Sequence, residues 1–381
     1  MALQALRGAT IFDGNRLHEN CAVLFEDGVV SGIVAVSDIP SHALIETLSG
    51  GTIVPGFVDL QVNGGGGIML NDAPTASTIA RIAAAHRASG TAAFLPTLIT
   101  ANAEETNSAI EAAAEARHSV PGVIGLHLEG PHLAPRRKGA HRAELMRAMT
   151  ERDAEALIEA RERVGTLMVT VAVEQVAPEL IRRLADAGVI VSLGHSDATY
   201  DAARAAFDAG ARAATHLFNA MSQLGNRDPG LVGAALASGH VYCGIIADGH
   251  HVHPESLRVA LAGKRGPGRL FCVTDAMAVF GTADDKFLLY GREVRRDGGR
   301  LTLPDGTLAG ADIDMAKSLL FLMKTLGIAP VDALRMTSRI AADLIGDVRF
   351  GRIHAGTEAP LAYLDSKGRP TPLPPKLRMQ N

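Results

Sequence analysis

From Ile53 onward, apolar runs of strand length alternate with alanine-rich stretches whose apolar positions recur at helical spacing. The runs are Ile53–Gln61, Ala92–Leu98, Val123–Glu129, Leu167–Val173, Val189–Gly194, Ala213–Phe218, Tyr242–Ala247 and Leu270–Thr274. Most are nearly continuous in apolar residues, the signature of strands buried on both faces. The segments near 75–89, 103–118, 150–163, 178–187, 199–209, 230–239 and 254–263 predict the intervening helices, with two more at 312–326 and 330–345. Strand–helix alternation predicts a parallel sheet, and a count of eight strands predicts closure into a (β/α)8 TIM-type barrel. The same spacing also suits an open, doubly wound sheet.

The chain departs from this rhythm in three places. Ala5–Ile11, Cys21–Phe25 and Val29–Val36 read as short strands separated by the turn signals Asp13-Gly14-Asn15 and Glu26-Asp27-Gly28. Residues 279–310 read as hairpins, either returning to that β unit or overhanging the barrel mouth. Arg352–Asp365 is again strand-like and is expected to rejoin the N-terminal β unit. Pro370–Pro375 reads as an extended, poorly packed tail.

Composition narrows the partners. A net charge of −4 gives no reason to expect nucleic acid or an anionic membrane, though a locally basic pocket would still accept an anionic substrate. Cys21, Cys243 and Cys272 are too few and too widely spaced for a disulfide framework or a zinc ribbon, so buried thiols are expected. The first residues lack the basic start and apolar core of a signal peptide, and no apolar run approaches the roughly 20 residues that span a bilayer. These features predict a soluble cytoplasmic protein.

The candidate chemistry gathers at strand ends. Glu129 closes the third strand, His195 the fifth, His216 the sixth and Asp275 the eighth. Taken singly, a strand-end histidine is more often a hydrogen-bonded structural residue, and a strand-end aspartate a helix cap. Together they are harder to dismiss, because parallel strands deliver their C-terminal ends to one rim. One carboxylate and two imidazoles leave an open position for water, the arrangement of a catalytic metal site. Asp275 would then be the general base and later the acid. His127 shares a strand face with Glu129 but lies deeper, where a supporting or structural role is expected.

Other motifs carry less. In Asp248–Pro254, His251 is favoured for substrate contact, beside a loop that simply starts a helix at Pro254. Arg227, in a turn-rich loop, is either solvated or a bidentate anion ligand. Arg136-Arg137-Lys138 reads as a solvated basic loop, and His132 gains no task. Gly64–Gly67 lacks the Gly-Lys-Ser/Thr ending of a phosphate-binding loop.

The chain resembles the N-acetylglucosamine-6-phosphate deacetylase family of the amidohydrolase superfamily. The residues that carry the likeness run from Pro55–Gly64 through His127-Leu128-Glu129-Gly130-Pro131 and Lys138-Gly139-Ala140-His141. They continue through Gly194-His195-Ser196, Thr215–Met221, Ala247–His251, Val273–Met277 and Leu308-Ala309-Gly310. The resemblance implies domains at 1–53 and 350–381, together a small β-sandwich, around a hydrolase barrel at 54–349. It implies Glu129, His195 and His216 as metal ligands, Asp275 as acid and base, and His141 as the donor to the acetamide carbonyl. Ala140, Asn219, Ala220, His251 and Ala309 would line the sugar site. Arg227 and His251 would hold the phosphate, with Arg227 supplied across a homodimer interface.

The implied reaction is hydrolysis of N-acetylglucosamine 6-phosphate to glucosamine 6-phosphate and acetate. The galacto epimer or another amide is an alternative, and a non-catalytic binding protein on the same fold a weaker one. Many amidohydrolases carry His-x-His after the first strand, whereas Gln61 and Asn63 stand there in this chain. Neutral amides are poor zinc ligands. One divalent ion is therefore expected, Zn²⁺ by ligand type, with Fe²⁺, Co²⁺ or Mn²⁺ as other occupants. Gln61 and Asn63 would hydrogen-bond the ligands or the water.

Overall fold

The computed structural model describes residues 3–358 and 360–371. By its contacts the chain divides into two compact units. One comprises the described residues of Met1–Asp59, Arg87–Ala93 and Met315–Asn381, the other Leu60–His86 and Phe94–Asp314.

Eight parallel strands form one sheet: β1 (Phe57–Val62), β2 (Thr91–Ile99), β3 (Gly125–Glu129), β4 (Thr166–Val171), β5 (Ile190–Leu193), β6 (Ala213–Ala214), β7 (Tyr242–Ile245) and β8 (Leu270–Cys272). Their order runs β1 to β8 with no reversal, which a doubly wound sheet would require. The ends meet beyond β1 and β8. Asn63 and Gly64 donate their amides to the Ala276 carbonyl, both at 3.0 Å, and Asp275 donates its own to the Gln61 carbonyl at 3.0 Å. The sheet is thus a nearly closed (β/α)8 barrel. The helices lie where helical spacing places them, for example Ala103–Ser119 and Glu151–Val164. Asn102 with Glu105, and Thr150 with Asp153, cap those two by reciprocal side-chain bonds.

Two strands are shorter than their apolar runs. Ile53–Gln61 is broken at Gly56: Thr52–Pro55 pairs elsewhere, and only Phe57–Val62 is β1. A continuously apolar run carries no mark of such a change of sheet. A side chain at Gly56 would meet Ala92 Cβ at 2.2 Å, so the break falls on the residue that fits. The sixth run ends at Ala214, because His216 and Phe218 adopt φ of +30° and +78°, outside strand geometry.

Residues 286–311 form a four-stranded antiparallel sheet of β9 (Lys286–Leu289), β10 (Arg292–Asp297), β11 (Arg300–Thr302) and β12 (Leu308–Ala311). The Ala311 amide donates to the Asp275 carbonyl at 2.9 Å, which ties β12 to the end of β8. This excursion overhangs the barrel mouth. Gly64–Gly65 pairs with Ile68–Met69, and the amides of Gly66 and Gly67 donate to Phe280 and Ala278 carbonyls at 2.7 Å. Those donors are spent within the fold, so the run is a hairpin and not a phosphate cradle.

The other unit contains two sheets. Val29–Ala35, Cys21–Glu26, Leu3–Arg7 and Leu44–Thr47 form one, and Pro370–Thr371, Leu361–Leu364, Thr52–Pro55, Thr10–Phe12 and Leu17–His18 the other. Leu6 and Val23 of the first pack with Ile11, Ile53 and Tyr363 of the second in one buried cluster, a β-sandwich assembled from both chain ends. Pro370–Thr371 pairs with Leu361–Leu364, in contrast to the loosely packed tail expected from Pro370; residues 372–375 lie outside the described residues. The helix expected over 330–345 is two, Pro330–Thr337 and Arg339–Ile345, broken at Ser338 with φ −143° and ψ −77°.

Candidate active site

Three of the strand-end residues singled out by sequence share a rare backbone conformation. His195, His216 and Asp275 have φ of +47°, +30° and +51°. Non-glycine residues in this region carry strain that the surroundings must hold, and such strain clusters at functional sites. The turns it produces aim the three side chains toward Glu129.

The spacing at Glu129 suits a metal ion. Its Oε1 lies 3.0 Å from His216 Nε2 and 3.3 Å from His195 Nε2, and the two nitrogens are 3.1 Å apart. A tetrahedral zinc with bonds of about 2.0–2.1 Å spaces its ligands about 3.3 Å apart. His195 Nδ1 lies 2.7 Å from the Arg137 carbonyl, to which it donates, so its Nε2 presents a lone pair in the neutral ring. His216 Nδ1 is buried without a hydrogen-bond partner among the described residues.

His141 belongs to the same cluster but differs in proton placement. Glu129, His141 and His195 offer ligand atoms all within 4.8 Å of one another. His141 Nε2, however, is 3.8 Å from Glu129 Oε2, farther than His216 is from Oε1. Its Nδ1 lies 2.8 Å from the Thr100 hydroxyl and 3.4 Å from the Thr100 amide. An amide only donates, and the hydroxyl's other acceptor, the Glu129 carbonyl, is at 3.4 Å. Both groups therefore donate to Nδ1, which leaves the proton on Nε2. Burial pushes the His141 pKa down to about 3, so the ring is neutral near pH 7. It is a hydrogen-bond donor facing the cavity, where His195 is a lone pair. Gly130, at φ +96°, passes so close to Thr100 that a Cβ would meet its Oγ1 at 2.3 Å.

The two carboxylates are pushed apart. Burial and the charge of Glu129 raise Asp275 to about 6. Burial also works to raise Glu129, but the hydrogen bond from His216 and the charge of that ring outweigh it and hold Glu129 well below the usual range. Burial opposes charge on His216, yet the bond to Glu129 and its charge leave that pKa raised. A bound cation adds its own field to all three. One carboxylate held ionised beside one able to exchange a proton near neutral pH is the division that acid–base catalysis needs.

Gln61 and Asn63 connect the carboxylates. Gln61 Nε2 reaches Glu129 Oε2 at 3.2 Å and Asp275 Oδ1 at 3.1 Å, and Asn63 Nδ2 reaches Asp275 Oδ1 at 2.6 Å. Beneath this layer His127 Nε2 meets the Thr170 hydroxyl at 2.7 Å, and burial lowers its pKa to about 4. Thr170, Thr215 and Ser192 continue the buried chain at 2.7 Å each. His127 thus supports the floor of the site as a neutral residue.

Above the cluster opens a cavity of about 510 Å³ whose lining includes Ala140, Asn219, Ala220 and His251. His251 Nδ1 is bonded to Asp248 Oδ2 at 2.6 Å. Ala309 is fully buried, and its neighbours Leu308 and Gly310 form that wall. Arg227 stands exposed and is not among the lining residues. Arg136 and Arg137 line the cavity; Arg136 and Lys138 are exposed, as expected of a solvated loop, whereas Arg137 is half-buried. Arg137 grips Asp197 through two nitrogens at 2.9 and 2.6 Å while its carbonyl orients His195. His132 is buried, with Nδ1 3.1 Å from the Arg147 carbonyl. Sequence reasoning gave no role to Thr100, Asp248 or the Gly306–Thr307 part of the wall. Of these only Asp248 carried a signal, its place in the histidine cluster.

Residues 52–378 match the family model described as "Amidohydrolase family". The chain is 41% identical over 369 residues to an N-acetylgalactosamine-6-phosphate deacetylase of Shewanella sp. (strain ANA-3), covering 95% of this chain and 92% of that one. The chain belongs to the amidohydrolase superfamily, among its N-acetyl-hexosamine-6-phosphate deacetylases. A second member of these deacetylases, the N-acetylglucosamine-6-phosphate deacetylase of Haemophilus influenzae, is 35% identical, with 94% of each chain covered. The crystal structure of N-acetylglucosamine-6-phosphate deacetylase from Pasteurella multocida superposes with a TM-score of 0.92 at 34% identity, covering 97% of each chain. Amidohydrolases are metal-dependent hydrolases, and the donor set around Glu129 fits that chemistry. Among the described residues no helix is long and apolar enough to cross a membrane.

Proposed function

We propose that the protein hydrolyses the acetamide of N-acetylglucosamine 6-phosphate, releasing glucosamine 6-phosphate and acetate. The observation that carries the reading is the division of labour around Glu129. Two imidazole nitrogens and a carboxylate stand at zinc-ligand spacing, with a proton-exchanging Asp275 and a donor-type His141 beside them. One divalent cation, Zn²⁺ by ligand type, is held by Glu129, His195 and His216 and supplies Lewis acidity to water and carbonyl. Asp275 takes the proton of the attacking water and later returns it to the leaving amine. His141 donates Nε2–H to the carbonyl oxygen as negative charge develops there. Gln61 and Asn63 keep both carboxylates in place.

His251, oriented by Asp248, faces the cavity as a phosphate contact. Arg227 is exposed in its own chain, which supports its delivery to the phosphate of a partner in a homodimer. Cys21, Cys243 and Cys272 are not joined in disulfides, which suits a cytoplasmic enzyme. A second reading, the galacto epimer as substrate, is favoured by the 41% identity to the Shewanella enzyme. Acetate release from the two N-acetylhexosamine 6-phosphates tests both. Higher kcat/KM on the gluco sugar supports the first reading, higher kcat/KM on the galacto sugar the second. Release from neither overturns them.

A further inference from the structure

The β9–β10 hairpin turn reaches back into the barrel mouth at one residue. Leu289 pairs with Arg292, so the turn is Tyr290-Gly291, with φ of +52° and +76°. Two-residue turns of this kind favour asparagine or glycine first, because a bulky side chain at positive φ is strained. A tyrosine kept there must be held by its side chain, and it is. Its hydroxyl lies 3.2 Å from the Thr100 carbonyl and 3.3 Å from the Ile99 carbonyl, accepts from Asn71 Nδ2 at 3.1 Å, and its ring carries the Arg142 guanidinium at 4.4 Å. On the other side of the turn, Arg292 Nη2 donates to the Ala140 carbonyl.

Thr100 and Ala140 are two of the neighbours that locate His141, beside the Lys138 carbonyl that accepts from its amide. Thr100 donates to its Nδ1, and Ala140 precedes it in the chain. Beside this segment a second cleft of about 540 Å³ opens, lined by Lys138, Arg142, Tyr290 and Arg292 together with His141. The ring itself is buried, 4.4 Å from the His195 ring, and its Nδ1 is held by Thr100.

We infer that Tyr290 and Arg292 are positioning residues for His141: the turn of the excursion clamps the Thr100 and Ala140 carbonyls and so aims His141 Nε2–H at the substrate carbonyl. The inference rests on the donor role proposed for His141. A group that acts as charge develops should, when displaced, lose kcat more than KM.

The test is a double-mutant cycle with kcat and KM measured for Y290F, R292M, H141Q and each pair, alongside metal content and thermal melting to establish folding. Y290F and R292M should each lower kcat about tenfold or more with KM within about twofold, given that loss of a whole oxyanion donor costs about 10²–10³. In the H141Q background neither should add a further loss, because the group they aim is gone. R292K, which can still donate to the Ala140 carbonyl, should recover most of the activity. Equal losses with and without His141 overturn the positioning role while leaving the His141 role standing. So does unchanged kcat in both single variants. Normal turnover by H141Q overturns the donor role itself, and the inference with it.

Discussion

Asn63 Nδ2 donates to Asp275 Oδ1 at 2.6 Å, binding the residue that follows the first barrel strand to one that follows the last. The bond favours the ionised carboxylate against the burial that raises it. Replacing Asn63 with leucine removes that donor at similar volume. The Asp275 pKa should rise further, so the acid limb of the kcat–pH profile should move to higher pH, with turnover at pH 7 falling about tenfold. An unmoved acid limb, measured from pH 5 to 9, would detach Asn63 from the proton chemistry.

Asp275→Asn keeps shape but cannot exchange a proton. Acetate release should fall by about 10²–10⁴-fold. Metal stoichiometry, measured by elemental analysis, should stay as in the parent, since Asp275 is not assigned as a ligand. Near-normal turnover with metal bound would remove it from the acid–base role.

Glu129→Gln leaves two imidazoles and a weak amide donor. Metal affinity should drop at least about tenfold, and the melting temperature should lose its dependence on added zinc, because only an ion bound to the folded state stabilises it. Unchanged occupancy would exclude Glu129 from the ligand set.

Arg227→Ala separates phosphate recognition from chemistry. A charged hydrogen bond is worth about 1.5–3 kcal/mol, so KM for the phosphorylated sugar should rise about 10–100-fold. The unphosphorylated sugar should be little affected. Equal losses on both would argue against a phosphate contact.

Stability should fall in acid through His86, away from the metal cluster. His86 is wholly buried, stacked on Phe280 with centroids 4.2 Å apart, and burial pushes its pKa from 6.5 down to about 4. Between those values the unfolded chain binds a proton that the folded one excludes, so its contribution is complete above 6.5 and lost as pH falls toward 4. At about 1.4 kcal/mol per pH unit the loss reaches about 3 kcal/mol. His86→Gln should flatten the acid slope in denaturant titrations at pH 4.5, 5.5 and 7; an unchanged slope would assign the loss to other groups.

The barrel was legible in the sequence because a parallel strand buried on both faces must be apolar along most of its length, and eight such runs recur in Ile53–Thr274. Glu129, His195, His216 and Asp275 were legible for the same reason, as ionisable residues at the ends of apolar runs. The break at Gly56 was not, since both sides of it are apolar and only pairing partners distinguish them. Nor was the role of Thr100, an ordinary threonine until the fold sets its hydroxyl 2.8 Å from His141.

Sequence by itself thus determined which elements form and which residues reach the rim, because periodicity and residue type are local properties. Tertiary structure alone decided which histidine bears a lone pair and which a proton. That choice depends on the atom facing each Nδ1: the Arg137 carbonyl for His195, the Thr100 amide and hydroxyl for His141. Those neighbours lie 58 and 41 residues away in the chain, and only folding brings them within hydrogen-bond reach.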